Sequence, residues 1–94
     1  MMDTNPRFEY RLQTSDDPTT LPRILLQLSR RRIVPDYLEH RRGPGRQHSL
    51  LVFEITVDAQ TAGIIARQLE RTVEVNVVEY SRAIPQPRIL AKVS

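Results

Sequence analysis

The 94-residue chain contains no cysteine and two histidines. The absence of cysteine excludes disulfide bonds, thiolate metal ligands and a cysteine nucleophile, and it fits a reducing compartment. The histidines, His40 and His48, flank a Gly-Pro-Gly turn. They could face each other across a hairpin, but without a third ligand they are more typical of exposed polar residues than of a metal site. We therefore expect no metal and no cofactor.

Long apolar runs are missing as well. No stretch approaches the roughly 20 residues that cross a bilayer, and the first ten residues lack the basic and apolar regions of a signal peptide. We therefore expect a soluble, cytoplasmic protein with no membrane partner. A chain of 94 residues has room for one small core and little surplus stability. A second copy or a partner protein is therefore expected to bind it.

Positive charge is in slight excess. The net charge is +3, and arginine carries almost all of the positive charge because Lys92 is the only lysine. That surplus is too small to indicate nucleic-acid binding by itself. Arginines gather in two stretches, Arg30 to Arg32 and Arg41 to Arg46, which could touch phosphate. An expected helix end and an expected hairpin tip are also ordinary places for solvated charge.

Hydrophobic periodicity predicts the order strand, helix, strand, strand, helix, strand. Alternating residues predict strands over 7–12, 33–42, 48–57 and 73–77, with the third strand central. Helical spacing predicts one helix that follows the polar cluster 14–18 and ends at the first arginine stretch, and a second from about 58 to 71. Pro35 cannot donate to a ladder, so it places the second strand at an edge or a bulge. Asp58 is expected to cap the second helix, Gly63 to be a close-packing point, and the buried stripe to consist of Ala62, Ile65, Ala66 and Leu69.

This order of elements predicts a fold class. It is the order of the α+β, ferredoxin-like βαββαβ fold, in which one four-stranded antiparallel sheet carries two helices on one face. The predicted boundaries are a flexible N-terminus over 1–6, the domain over 7–80, and a tail over 81–94 that is disordered or pairs with a partner. Both edges of such a sheet favour association through strand pairing.

The residues that could carry catalysis are few. Asp16 and Asp17 are adjacent, but they precede a helix, where carboxylates favour capping over acid–base chemistry. Acylphosphatase, a small enzyme of this fold, uses an arginine in a glycine-rich loop after strand one, and the corresponding loop here has neither. The third strand, "HSLLVFEI", has one aromatic residue and no glycine, unlike an RNA-binding sheet. We therefore expect that the protein is not an enzyme and that it has no nucleic-acid partner.

The loop from Asp16 to Thr20 has two interpretations. Amides at the start of a helix form a natural pocket for the carboxylate of a small ligand such as an amino acid. Every helix has such a start, however, and Asp, Pro and Thr there are also what a helix cap requires. Taken alone, the loop favours a cap.

Two stretches resemble a known family. Residues 15–38, "SDDPTTLPRILLQLSRRRIVPDYL", resemble without a gap the first loop, helix and second strand of an ACT domain, and more narrowly of the small subunit of acetolactate synthase. Residues 68–79, "QLERTVEVNVVE", resemble the end of the family's second helix and its closing strand. The resemblance extends over about 7–80. The matching positions in the first stretch are Leu21, Arg23, Ile24, Ser29 and Arg31.

The resemblance implies a function. In that family the small subunit has no catalytic residues, binds the thiamine-diphosphate-dependent large subunit, and raises its activity in branched-chain amino acid biosynthesis. It also implies a homodimer formed through ACT domains. Many members transmit feedback inhibition by a branched-chain amino acid that binds between two such domains.

The effector positions depart from the family pattern. Asp16 stands where effector-binding members have asparagine, Thr19 where they have glycine, and Val34 where they have asparagine on strand two. The candidate effector-binding residues are therefore Asp16, Asp17, Pro18, Thr19, Thr20 and Val34, with weak or no feedback inhibition expected because a side chain at Thr19 crowds the ligand carboxylate. The alternative is a free-standing ACT dimer that senses an amino acid or another small ligand.

Overall fold

Four strands and two helices alternate in the predicted order. The structure is a computed structural model that describes residues 5–43, 48–72 and 74–84. The elements are β1 (Arg7–Ser15), α1 (Thr20–Arg30), β2 (Tyr37–Arg42), β3 (His48–Thr56), α2 (Ala59–Glu70) and β4 (Val75–Arg82). The strands form one antiparallel sheet in the order β2-β3-β1-β4. The expected ferredoxin-like βαββαβ fold is confirmed. No helix in the described ranges is long and apolar enough to cross a membrane.

The core lies between the sheet and the helices. Along β1 burial alternates, with Phe8, Tyr10 and Leu12 turned inward. The inner side of β3 and one stripe of each helix join them in a single cluster. The predicted stripe of α2 is confirmed, because all four of its residues are buried. Each large apolar side chain removed from water contributes about 1.5–3 kcal/mol to folding, so this cluster holds the helices against one face of the sheet. The other face is left open, as is common in antiparallel sheets.

Three aromatic rings cross the inner face of the sheet. Tyr10 on β1 stacks on Phe53 of β3 at 4.9 Å between ring centroids and on Tyr80 of β4 at 5.3 Å. Its hydroxyl donates a 2.7 Å hydrogen bond to the Ala62 carbonyl and so ties the sheet to α2. Burial, and then the neighbouring Tyr80, raise the pKa of the Tyr10 hydroxyl above its ordinary value.

The helices end in different ways. The predicted cap of α2 is confirmed, since the Thr61 N–H donates to the Asp58 carboxylate at 2.7 Å and, as the largest cause, lowers its pKa. At the end of α1 the Arg32 N–H donates to the Ser29 carbonyl at 2.8 Å and the Ile33 N–H to the Leu28 carbonyl at 3.0 Å. This pair of bonds is a Schellman motif. It requires a left-handed residue, and Arg32, with φ of 60°, adopts that conformation.

Several sequence-based predictions differ from the structure. β2 begins at Tyr37, four residues after the predicted start, because the chain from α1 passes Pro35 before pairing begins; its edge position is confirmed. A Cβ on Gly63 would meet the Tyr80 hydroxyl at 3.5 Å, an ordinary contact, so the prediction of close packing there is wrong. β4 begins at 75 and extends two residues into the predicted tail. Residues 73 and 85–94 lie outside the described residues.

The β2–β3 connection keeps the two histidines apart. His40 lies opposite Leu51 on the helix side of the sheet. His48 begins β3, three positions before Leu51, and lies opposite Ser15 on the other side. Gly43 donates its N–H to the His48 carbonyl at 2.7 Å. A Cβ there would come within 2.9 Å of the same oxygen, so this position requires glycine. Residues 44–47 of the predicted turn lie outside the described residues.

Candidate functional site

The loop between β1 and α1 is closed by its own aspartate. The Asp17 carboxylate accepts the Thr19 N–H at 2.8 Å and the Thr19 hydroxyl at 2.7 Å. The Asp17 carbonyl accepts the Thr20 N–H at 3.0 Å. The backbone bond from Thr19 and then the hydroxyl bond hold the pKa of Asp17 below its ordinary value. This is the pattern of an Asx turn that orders the chain ahead of a helix.

Asp16 faces away from the helix start. Its carboxylate accepts the Ser49 hydroxyl at 3.2 Å and lies 3.4 Å from Nε of Arg42. The aspartate therefore joins the loop to the far ends of β2 and β3. A ligand ammonium group attracted to Asp16 would have to compete with a guanidinium that is already in place.

Few amides are left for a ligand at the start of α1. Pro18 and Pro22 have no N–H. The N–H groups of Thr19 and Thr20 are bonded within the loop, and that of Arg23 donates to the Thr19 carbonyl at 3.1 Å. A carboxylate ligand that binds the Thr19 amide would first have to displace Asp17 from it.

Val34 lies far from this loop within one chain. It is 82% exposed and precedes β2. The register of β2 sets Tyr37 opposite Glu54 and Arg42 opposite Ser49, the residue that contacts Asp16. Those ends are five residue steps apart along β2, which is about 17 Å along the sheet. The structure therefore brings residues 16–20 together but not Val34, which only a second chain could place beside the loop.

Two buried oxygens near the loop have no hydrogen-bond partner among the described residues. One is Oγ1 of Thr20, a residue that is only 4% exposed, and the other is Oε1 of Glu74. The second oxygen of Glu74 accepts from Arg23 at 2.8 Å, and its backbone carbonyl accepts the Ser15 N–H at 2.9 Å. A buried polar atom without a partner costs about 1–3 kcal/mol, so water or a polar ligand group reaching these atoms would stabilise the fold.

The open face of the sheet carries paired charges. A shallow groove of about 440 Å³ crosses it, and Val52 forms part of its buried floor. Arg11 pairs with Glu9 at 3.1 Å, and Arg41 pairs with Glu39. Each of these pairs joins two residues of the same strand, so it neutralises an arginine on this face without linking neighbouring strands.

Sequence reasoning missed the buried carboxylate in this groove. Glu54 is only 4% exposed, and Arg7 lies 3.4 Å from it while also contacting Asp36 at 3.6 Å. Glu54 lies directly opposite Glu9 on the neighbouring strand. The alternation along β1 and β3 assigns both to the open face, but their register is a tertiary feature. Across the described residues, no group of three His, Cys, Asp or Glu side chains is placed to hold a metal ion.

Comparison with known proteins supports the fold. No protein-family model and no curated protein matches the sequence. Similar solved structures include an uncharacterized protein from Thermotoga maritima, with a TM-score of 0.69 and 10% identity over 83% of this chain and 96% of that one. The C-terminal domain of the MgtC protein from Mycobacterium tuberculosis gives a TM-score of 0.64 and 11% identity over 88% and 94%.

A third similar structure is the regulatory subunit of aspartate kinase from Thermus thermophilus, solved in a ligand-free form. Its TM-score is 0.61 and its identity 18%, over 79% of this chain and 50% of that subunit. The chain therefore corresponds to half of that subunit. At these identities the similarity concerns the fold, which is the ferredoxin-like βαββαβ fold expected of an ACT domain.

Proposed function

We propose that this chain is a non-catalytic, ACT-type regulatory subunit that binds a larger enzyme and raises its activity. The partner that we propose is the thiamine-diphosphate-dependent large subunit of acetolactate synthase, because residues 15–38 and 68–79 resemble its small subunit. Fold alone does not identify a function, so the proposal depends on the site. The observation that carries it is the closed loop at residues 16–20.

The closed loop supports docking without an amino-acid response. Its carboxylates are engaged by Thr19, Ser49 and Arg42, and two of its amides are bonded within the loop. An effector-binding loop needs free amides and room at the start of the helix. In this chain the Asx turn engages the Thr19 amide, and the Thr19 side chain takes up room at the start of the helix.

The test is a stimulation assay with the large subunit from the same source. We expect this chain to bind the large subunit in a pull-down and to raise its acetolactate production. Added valine, leucine or isoleucine should leave the stimulated rate unchanged. Absence of both binding and stimulation would refute the partner, and inhibition by any of the three amino acids would refute the closed-loop argument.

We also propose a homodimer that pairs β2 with β2 of a second chain. The Gly43 N–H bonds the His48 carbonyl, so odd-numbered β2 residues face β3 and the backbone groups of Leu38, His40 and Arg42 point outward. Pro35 precedes β2 and does not interrupt this edge. Pairing centred on His40 would set Glu39 of each chain opposite Arg41 of the other, which is a favourable cross-strand pair.

The edge is tested at its outward-facing amide. His40→Pro removes an N–H that makes no bond to β3, so we expect a folded monomer in analytical ultracentrifugation. His40→Ala is the matched control and should remain dimeric. If both variants are dimeric, the interface lies elsewhere, and the β4 edge is the next to test.

The second candidate is a free-standing ACT dimer that senses a small ligand. The unpartnered oxygens of Thr20 and Glu74 beside the loop favour it, because a ligand could supply their missing hydrogen bonds. A ligand that binds only the folded chain raises its melting temperature by mass action. We would screen the common amino acids by thermal shift, with Thr20→Val as the variant that should lose any response. No shift with any of them would argue against this candidate.

A further inference from the structure

The arginines of the described chain fall into two groups. Five of them, on β1, β2 and the start of α1, have a carboxylate partner; they are Arg7, Arg11, Arg23, Arg41 and Arg42. On β4, Arg82 instead lies over the Phe8 ring at 5.9 Å. At the C-terminal ends of the helices the pattern changes. Within the described ranges no ion pair is formed there by Arg30, Arg32, Arg67 or Arg71, and Arg31 bonds a neutral amide. Apart from Arg82, the described arginines without a carboxylate partner therefore lie on the helix layer.

Three of these arginines converge on one groove. A space of about 430 Å³ between the helices, which we name the helix groove, is lined by the side chains of five residues. They are Gln27 and Arg30 of α1, Arg31 directly after it, Gln68 of α2, and Arg71 directly after α2. That volume lies within the range of small-molecule sites. Like charges gathered without a counter-ion repel one another, so the folded chain is stabilised by any anion that enters.

The hydrogen bonds inside the helix groove leave donors facing the space. Nε of Arg31 donates to the Gln68 side-chain carbonyl at 3.2 Å, and the Gln27 amide nitrogen donates to the Thr72 hydroxyl at 3.0 Å. The Gln68 NH₂ and the terminal nitrogens of Arg31 therefore remain as donors, and Arg30 and Arg71 keep their whole guanidinium groups. A set of donors of this kind suits an oxyanion with several oxygens.

The helix ends do not need these guanidinium groups. Cations near a helix C-terminus usually complement its exposed carbonyls. Here the Leu28 and Ser29 carbonyls accept backbone N–H groups of residues 31–33. The Gln68 and Leu69 carbonyls likewise accept those of Arg71 and Thr72. Two carbonyls at each helix end are therefore bonded by backbone N–H groups, so they do not need the guanidinium groups of the three arginines.

We infer that the helix groove binds a small molecule that carries two or more phosphate groups. A phosphate group carries about 1.5 to 2 negative charges at neutral pH, so two of them already balance three guanidinium groups. Nucleic acid fits less well, because single strands bind through bases stacked on aromatic rings. The aromatic side chains of the described residues lie on the strands, and none lines this groove. This site is separate from the loop at 16–20 and does not depend on the proposed partner.

The experiment uses inorganic tripolyphosphate and the full chain. We expect saturable binding in isothermal titration calorimetry at low ionic strength, weakened by added salt. The double variant R30Q/R71Q removes two groove charges and should bind at least about tenfold more weakly. The matched control R11Q/R82Q removes two charges from the sheet, outside the helix groove, and should bind within about twofold of wild type. Far-UV circular dichroism of all three proteins checks that they are folded.

A second readout locates the ligand. In nuclear magnetic resonance spectra, the side-chain amide signals of Gln27 and Gln68 should shift on addition of tripolyphosphate. If the double variant R30Q/R71Q fails to fold, the single variants R30Q and R71Q take its place in the calorimetry, and in them the two amide signals should still shift. Undetectable binding, or equal weakening in both double variants, would overturn the inference. An RNA oligonucleotide that binds more tightly than tripolyphosphate through the same arginines would replace it with a nucleic-acid site.

Discussion

Replacing Arg32 with glycine should stabilise the protein. Arg32 holds φ of 60° at the end of α1, where the Schellman motif needs a left-handed residue. That conformation costs a residue with a Cβ about 1–2 kcal/mol. Glycine adopts it freely but loses about 0.5–1 kcal/mol through greater backbone freedom in the unfolded chain. We therefore expect a net gain of about 0.5–1 kcal/mol in the free energy of unfolding, or about 3–6 °C in melting temperature.

The assay is urea unfolding followed by circular dichroism, with Arg32→Ala as the matched control. Arg32→Ala removes the same charge and side chain but keeps the left-handed strain, so it should remain within about 0.5 kcal/mol of wild type. The urea midpoint of Arg32→Gly should rise with an unchanged slope, since the surface exposed on unfolding stays the same. If Arg32→Gly is no more stable than Arg32→Ala, the argument from backbone conformation is refuted.

Three further predictions concern stability and its pH dependence. Gly63→Ala should stabilise α2 by about 0.5–1 kcal/mol in urea unfolding, because a Cβ there makes only an ordinary contact with Tyr80; destabilisation would mean that α2 packs more tightly. The pKa of Tyr10 is raised in the folded state, so stability is constant below the unfolded pKa of about 10 and falls above it, and Tyr10→Phe should flatten that fall. The pKa of Asp58 is lowered in the folded state, so its contribution to stability is present above the unfolded pKa of about 3.9 and is lost as the pH falls. Asp58→Ala should therefore be less stable than wild type at pH 7, and its stability should depend less on acid pH. Asp58→Asn keeps the acceptor for Thr61 and should remain more stable than Asp58→Ala in the same titration.

Local chemistry explains why the fold was predictable. The cap at Asp58 and the stripe of α2 follow from the helical period of one continuous segment, and both are confirmed. The alternation of β3 likewise predicts its inner side, which is buried at every position from Leu51 to Val57 that faces the helices. The sequence-based predictions were wrong where contacts between distant parts of the chain determine the local structure. Pairing of β2 starts only after Pro35, and Gly63 faces a tyrosine hydroxyl from a distant strand.

The candidate loop shows a different limit. Its residues predict a helix cap, and Asp17 does order the turn before α1. The sequence does not predict that Asp16 turns back to Ser49 and Arg42, because those partners lie on other strands. It also suggested a common site with Val34, although the strand register sets that residue at the opposite end of the sheet. The family resemblance concerns two chains in contact, which a single chain cannot display.

The helix groove could not be predicted from the sequence, because it forms only when the two helices pack together. Arg30 and Arg31 are visible in the sequence as a basic stretch, and both a solvated face and a phosphate contact are consistent with it. Gln68 lies 37 residues after Arg31, and Arg71 three residues later, so only the packing of α1 against α2 brings them to the same space. The net charge of +3 does not reveal this arrangement. Carboxylates pair with most arginines of the sheet, whereas three guanidinium groups without a carboxylate partner share one groove. Local charge distribution, and not the total, therefore determines where an anion would bind this protein.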